Sequence, residues 1–152
     1  MGRLNRTAVA VFITALFLVG CSAMKLYKVE LPRNLQVSSR IESVEATLDI
    51  YRVGKQCETA YLGTVVLDRN MIELGIAKEL PSYLVVGFSG SSFWSNSSSY
   101  TSYNITLLPR EAYQYELEVS YIDDIYHVAV YEINQNTSKK REMLDTELQN
   151  CN

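Results

Sequence analysis

From Tyr113 to Ile133, apolar and polar residues alternate along two runs, Tyr113 to Ile122 and Ile125 to Ile133, separated by Asp123-Asp124. A period of two places successive side chains on opposite faces of an extended strand, and two such runs around a short polar pair read as a β-hairpin. If the aspartates are the loop, Ile122 faces Ile125, Tyr121 faces Tyr126, Val119 faces Val128 and Leu117 faces Val130. Tyr115, Leu117, Val119, Tyr121, Tyr126, Val128 and Val130 then share one face, with Glu116, Glu118, Ser120 and His127 on the other. A slip of one residue would scramble that segregation, so the pattern specifies the register.

The same period runs through the preceding sequence. Val44, Ala46, Leu48 and Ile50 alternate with Glu45, Thr47, Asp49 and Tyr51; a turn at Gly54-Lys55-Gln56-Cys57 leads to Tyr61–Leu67. Asp68-Arg69-Asn70 separates that run from Met71–Ala77, in which Ile72, Leu74 and Ile76 share a face. After Pro81, the nearly continuous apolar run Tyr83–Phe88 reads as a central strand covered on both faces. Arg141–Leu148 reads as one or two helical turns or a final edge strand. Seven or eight short strands with frequent turn signals and no long helical pattern predict an all-β fold: one antiparallel β-sandwich, immunoglobulin-like or transthyretin-like in outline. The 152 residues suit one domain, and a content of 47% hydrophobic and 11% aromatic residues excludes a disordered chain. A net charge of −3 argues against nucleic acid as a partner.

The first twenty residues have a different character. Arg3 and Arg6 precede an apolar run, Ala8 to Leu18, that is shorter than the ~20 residues a membrane-spanning helix needs. This is the pattern of an export signal, with an uncleaved N-terminal anchor as the alternative. Met1-Gly2 invites a myristoylation reading, but Arg6 stands where that pattern wants Ser or Thr. Leu18-Val19-Gly20-Cys21 resembles the lipobox of bacterial lipoproteins. The resemblance implies lipid on the Cys21 thiol, removal of residues 1–20, and attachment of the mature chain to a membrane of the bacterial cell envelope. It further implies that Ser22 directs the chain to the outer membrane, where it would face the periplasm. Residues 21–42 then form the lipidated end and tether, with a first short strand at its close as the alternative to an unstructured end, and residues 43–152 form the sandwich.

With Cys21 assigned to lipid, Cys57 and Cys151 remain, and in an oxidising compartment a disulfide between them is the economical reading. It would close a loop of about 95 residues, a constraint that stabilises by about 4–5 kcal/mol in the chain-entropy picture. Two free thiols are the alternative. Neither the cysteines nor His127 has zinc-ligand spacing, and no cofactor is expected.

The segment Gly90–Tyr103 joins small hydroxyl residues to Phe93, Trp94, Tyr100 and Tyr103. Rings among small polar neighbours make adaptable contact surfaces, so this Ser/aromatic loop is the candidate contact for an envelope protein or a glycan. The competing reading is a strand connection whose rings fold back onto the sandwich. His127, with Glu116, Glu118, Asp123 and Asp124 nearby, invites a catalytic reading, but one strand face does not make a nucleophile, base and acid converge. No catalytic residues are expected. The chain reads as a non-enzymatic accessory or scaffold module, with carbohydrate binding as the alternative.

Overall fold

The structure is a computed structural model, and it describes residues 24–54, 56–92 and 97–143. Among these residues there are nine strands and no helix: β1 (Leu35–Ile41), β2 (Glu45–Val53), β3 (Thr59–Val66), β4 (Met71–Leu74), β5 (Ser82–Ser92), β6 (Ser97–Leu107), β7 (Tyr113–Ile122), β8 (Ile125–Asn134) and β9 (Lys140–Met143). They form two sheets, ordered β4-β1-β7-β8-β9 and β3-β2-β5-β6, in which every pairing is antiparallel except β1 with β7.

The sheets stack because each presents one apolar face. Leu35, Val37, Leu117, Val119 and Val130 from the first meet Leu48, Ile50, Leu84, Val86 and Phe88 from the second in a single core. The chain is therefore a β-sandwich, as the alternation predicts.

The β7–β8 hairpin has the register read from the sequence, including Leu117 opposite Val130 and Ile122 opposite Ile125. Asp123 and Asp124 both take positive φ, 50° and 63°, the geometry of the two-residue turn whose twist matches the flanking strands. The Tyr121 hydroxyl donates to Asp124 Oδ1 at 2.7 Å, and the carboxylate holds that phenol up at about 12.

Four expectations need correction. The sandwich begins before residue 43: β1 lies inside the segment 21–42 read as tether, and its Leu35 and Val37 are fully buried. With only two core positions before Ser38, β1 is too short for periodicity to stand out, and its parallel partner is about eighty residues away. The strand count is nine rather than seven or eight because β6, hidden in the segment read as a loop, adds to the alternating runs and the two end strands. Strand β5 is central, between β2 and β6, but only one of its faces meets the other sheet; Tyr83 and Val85 are half-buried on the outer face. Finally, the segment 90–103 is not a loop: β5 runs on to Ser92 and β6 starts at Ser97, so most of it forms the two arms of a hairpin. Serine, threonine and asparagine signal turns locally, but the inward positions Tyr103, Ile105 and Leu107 keep the period of two and pair the strand to β5. Of the segment Arg141–Leu148, residues 141–143 belong to strand β9, one of the two forms expected there, and residues 144–148 lie outside the described residues.

Candidate binding surfaces

A sandwich can bind through its edges, its outer faces or the openings between its sheets, and the four edges here differ sharply. Strand β4 is four residues long, and Arg33 bridges its Glu73 at 2.8 Å. Strand β9 is also four residues long and carries Lys140, Arg141 and Glu142. The edge of β3 is covered by the N-terminal segment: the Tyr27 amide donates to the Thr64 carbonyl at 2.9 Å, and the Thr64 amide to the Lys25 carbonyl at 2.8 Å.

Among the described residues, strand β6 has none of these protections. It is eleven residues long, without a charge or a proline, and pairs with β5 in unbroken register from Ser82–Leu107 to Ser92–Ser97. Its last residues are anchored, with Ile105 and Leu107 buried, whereas Ser98 to Tyr100 and Ser102 to Asn104 are exposed. A strand at the edge of a sheet carries a row of unpaired backbone donors and acceptors, and length, flatness and lack of charge make it a template for another strand.

The sequence-predicted residues do not converge on one site. Tyr100 and Tyr103 are three apart on a strand, hence on opposite faces. The Tyr103 ring turns inward and meets Phe88 edge-on at 6.0 Å. Phe88 in turn meets Tyr126 at 4.9 Å, and Tyr126 meets Tyr121 at 4.6 Å, so Tyr103 belongs to a ladder of rings between the sheets. Tyr100 is 67% exposed and lies on the outer face, its hydroxyl over Gly87, where the absent side chain leaves room for it. Phe93, Trp94, Cys21 and Cys151 lie outside the described residues. Cys57 sits in the β2–β3 turn with positive φ, 62°, its amide donating to the Gly54 carbonyl. His127 is exposed opposite Ser120 on the hairpin. Among the described residues no three His, Cys, Asp or Glu side chains gather in a way that could hold a metal ion.

Sequence reasoning missed the outer face of the β3-β2-β5-β6 sheet. Tyr51 lies there between Tyr61 at 5.3 Å and Tyr83 at 5.8 Å, and Tyr100 projects from β6 onto the same face. Beside them the Tyr61 hydroxyl is 2.5 Å from Thr64 Oγ1, and the Thr64 hydroxyl donates to Asp49. Partial burial, then the nearby Asp49 carboxylate, raises the Tyr51 phenol above its ordinary value, so Tyr51 offers a neutral donor and acceptor at neutral pH. The alternation of Thr47, Asp49 and Tyr51 with the core residues of β2 carried this signal for one strand; that tyrosines of three other strands join them follows only from the pairing.

No protein-family model and no curated protein matches the chain. Among solved structures it is similar to transthyretin from Sparus aurata, with 14% identity and a TM-score of 0.47 over 66% of this chain and 98% of that one. A sea bream transthyretin in complex with thyroxine gives 13% identity and a TM-score of 0.42, covering 64% and 93%.

Proposed function

We propose that the chain is a lipid-anchored module of the bacterial cell envelope that binds another envelope protein by adding one of its strands to β6. The observation that carries the reading is the contrast among the edges: three are short, charged or covered, and β6 is long, regular and uncharged. Strand addition draws affinity from main-chain hydrogen bonds and specificity from side chains at alternate positions, which suits a strand of serine, threonine and tyrosine. The role is binding rather than catalysis. The resemblance of Leu18-Val19-Gly20-Cys21 to a lipobox supports the anchor, on the outer membrane and facing the periplasm, and the Cys57–Cys151 disulfide belongs to the same reading.

Gentle detergent extraction of the envelope followed by size-exclusion chromatography tests it. A protein that co-elutes in stoichiometric amount, and is lost with Ser102→Lys, is expected; retention of that partner by Ser102→Lys would refute strand addition. Cys21→Ser is expected to release the chain from membranes. A mobility difference between reduced and unreduced protein, abolished by Cys151→Ser, is expected for the disulfide.

The outer tyrosine face favours a second reading, carbohydrate binding, because sugar rings stack on exposed aromatic rings and neighbouring hydroxyl and carboxylate groups take their hydrogen bonds. Peptidoglycan or surface-glycan fragments would then quench or shift tyrosine fluorescence, and Tyr51→Ala would remove the response.

A further inference from the structure

The N-terminal segment that covers β3 also roofs a pocket. Residues 24–31 cross one end of the sandwich, and the body is shaped to receive them. A side chain on Gly63, whose φ is 154°, would come within 2.7 Å of the Tyr27 backbone, and one on Gly75 within 2.3 Å of the Leu31 carbonyl oxygen. The Tyr27 hydroxyl donates to that same Gly75 carbonyl at 2.5 Å. Two glycines and three hydrogen bonds thus fix the segment as a wall of the molecule.

Beneath it lies a cavity of about 600 Å³ with apolar walls from Leu26, Leu31, Leu62, Ile76 and Leu80. Leu26, Leu31 and Leu80 are 62%, 42% and 44% exposed, a group of large apolar side chains left open to water at the mouth. The Tyr27 hydroxyl, committed to Gly75, offers a polar ligand nothing new. The rim is cationic: Lys25, Lys28 and Arg52 stand around it against a single carboxylate, Glu30. Lys28 and Arg52 make no ion pair with any described residue. In a chain whose net charge is −3, cations that no described carboxylate pairs, beside an open apolar cavity, form a local feature of opposite sign.

We propose that this pocket binds a single-chain amphiphile with an anionic head, a long-chain fatty acid, its tail along the leucines and its carboxylate between Lys28 and Arg52. The volume falls within the range of about 300–1,000 Å³ usual for small-molecule sites. At about 30 Å³ for a water-sized group, it takes roughly twenty such groups, one long alkyl tail rather than the two of a phospholipid. The proposal stands apart from the β6 reading, because the strap, the ends of β2 and β5, β3 and the β4–β5 connection line the pocket and no residue of β6 does.

The test uses the full chain as cells produce it, extracted in mild detergent, exchanged into amphipol and titrated with palmitate under native mass spectrometry. One palmitate per chain is expected. The double variant Lys28→Glu/Arg52→Glu, at exposed positions, should weaken binding by about tenfold or more, the scale of a lost charge-assisted contact. Hexadecanol, with the same tail and no charge, should bind weaker by a similar factor. Equal binding of palmitate and hexadecanol, several palmitates per chain unaffected by the double variant, or stoichiometric displacement by a two-chain phospholipid would each overturn the proposal. Should the double variant melt below the parent chain, Leu80→Gln, which shortens the apolar wall at an exposed position, must weaken palmitate binding instead. Either variant should still co-elute with a β6 partner, which separates failure of this site from failure of the edge reading.

Discussion

Strands β9 and β6 both close a sheet, and the sequence treats them in opposite ways. Strand β9 has four residues, three of them charged, and is tied inward by ion pairs: Lys140 to Glu116 at 2.7 Å and Glu118 at 3.2 Å, Arg141 to Glu132 at 2.8 Å. Strand β6 has eleven residues and no charge. The outer faces behind them differ in the same sense. The β9 sheet presents Glu116, Glu118, His127 and Lys140; the β6 sheet presents Tyr51, Tyr61, Tyr83 and Tyr100. Desolvating charged groups is costly and desolvating tyrosines is favourable, so the two halves of one sandwich are suited to solvent and to contact respectively.

Strand β6 itself divides into an anchored end and a free one, and this gives the largest expected effect. Leu107 is fully buried, and Leu107→Ala should destabilise the chain by about 2–5 kcal/mol in a urea titration. Ser102→Lys on the same strand should change stability by no more than about 0.5 kcal/mol while removing the partner. If Ser102→Lys destabilised as much as Leu107→Ala, the exposed half of β6 would be structural and the contrast with β9 would fail.

The covered edge of β3 can be turned into a bare one. In Gly63→Ala the new methyl group meets the Tyr27 backbone, so the N-terminal segment must lift away. The expected cost is about 1–3 kcal/mol, as for other overpacked sites, accompanied by concentration-dependent self-association in analytical ultracentrifugation once a second strand edge is exposed. A monomeric Gly63→Ala protein with a wild-type melt would mean that the segment does not protect β3.

How much of this was legible beforehand follows from how local each signal is. The β7–β8 register could be read residue by residue, because alternation and a two-residue turn suffice to set it. The core faces of β2 and β4 were legible for the same reason: Ala46, Leu48 and Ile50, and Leu74 with Ile76, are buried as their spacing predicts. Strand β6 was hidden by composition, since Ser97-Ser98-Ser99 speaks for a turn and only the inward Tyr103, Ile105 and Leu107 speak for a strand. Pairing over long separations was not legible at all. The parallel β1–β7 contact, the seating of Tyr27 on Gly63 and the gathering of Tyr51, Tyr61, Tyr83 and Tyr100 depend on which strands become neighbours, and no short window of sequence contains that.

The charged side of the comparison has a pH signature. Glu132 faces inward with its side chain 7% exposed, held by Arg110 at 2.5 Å and Arg141 at 2.8 Å. Burial by itself would raise its carboxyl pKa; the hydrogen bonds from Arg110 and Arg141 outweigh burial, and the net shift is downward. A carboxyl depressed in the folded state adds stability above its unfolded value, near 4.3, and that contribution is lost as pH falls through the folded value. Glu132→Gln should therefore cost about 1–3 kcal/mol at pH 7, below the range of about 3–5 kcal/mol for fully buried pairs because both arginines are about half exposed. The cost should shrink in thermal melts taken below pH 4. A variant equally destabilised at pH 7 and pH 3 would place the effect in packing rather than in charge.

The smallest effect belongs to Lys140. Its ammonium sits 4.1 Å from the centre of the Tyr131 ring and between Glu116 and Glu118, whose hydrogen bonds raise its pKa, that to Glu116 most. A lysine raised in the folded state contributes stability that is complete below its unfolded value, near 10.4, and lost as pH rises through the folded one. The side chain is 41% exposed, so solvent screens these contacts, and Lys140→Gln should cost no more than about 0.5 kcal/mol at low salt and nothing measurable in 1 M salt. Its consequence for association should exceed its consequence for stability. With Lys140 neutral, β9 loses part of the charge that keeps it from pairing, and sedimentation at high protein concentration should reveal weak self-association absent from the parent chain. An unchanged sedimentation profile would show that the brevity of β9, not its charge, is what closes that edge.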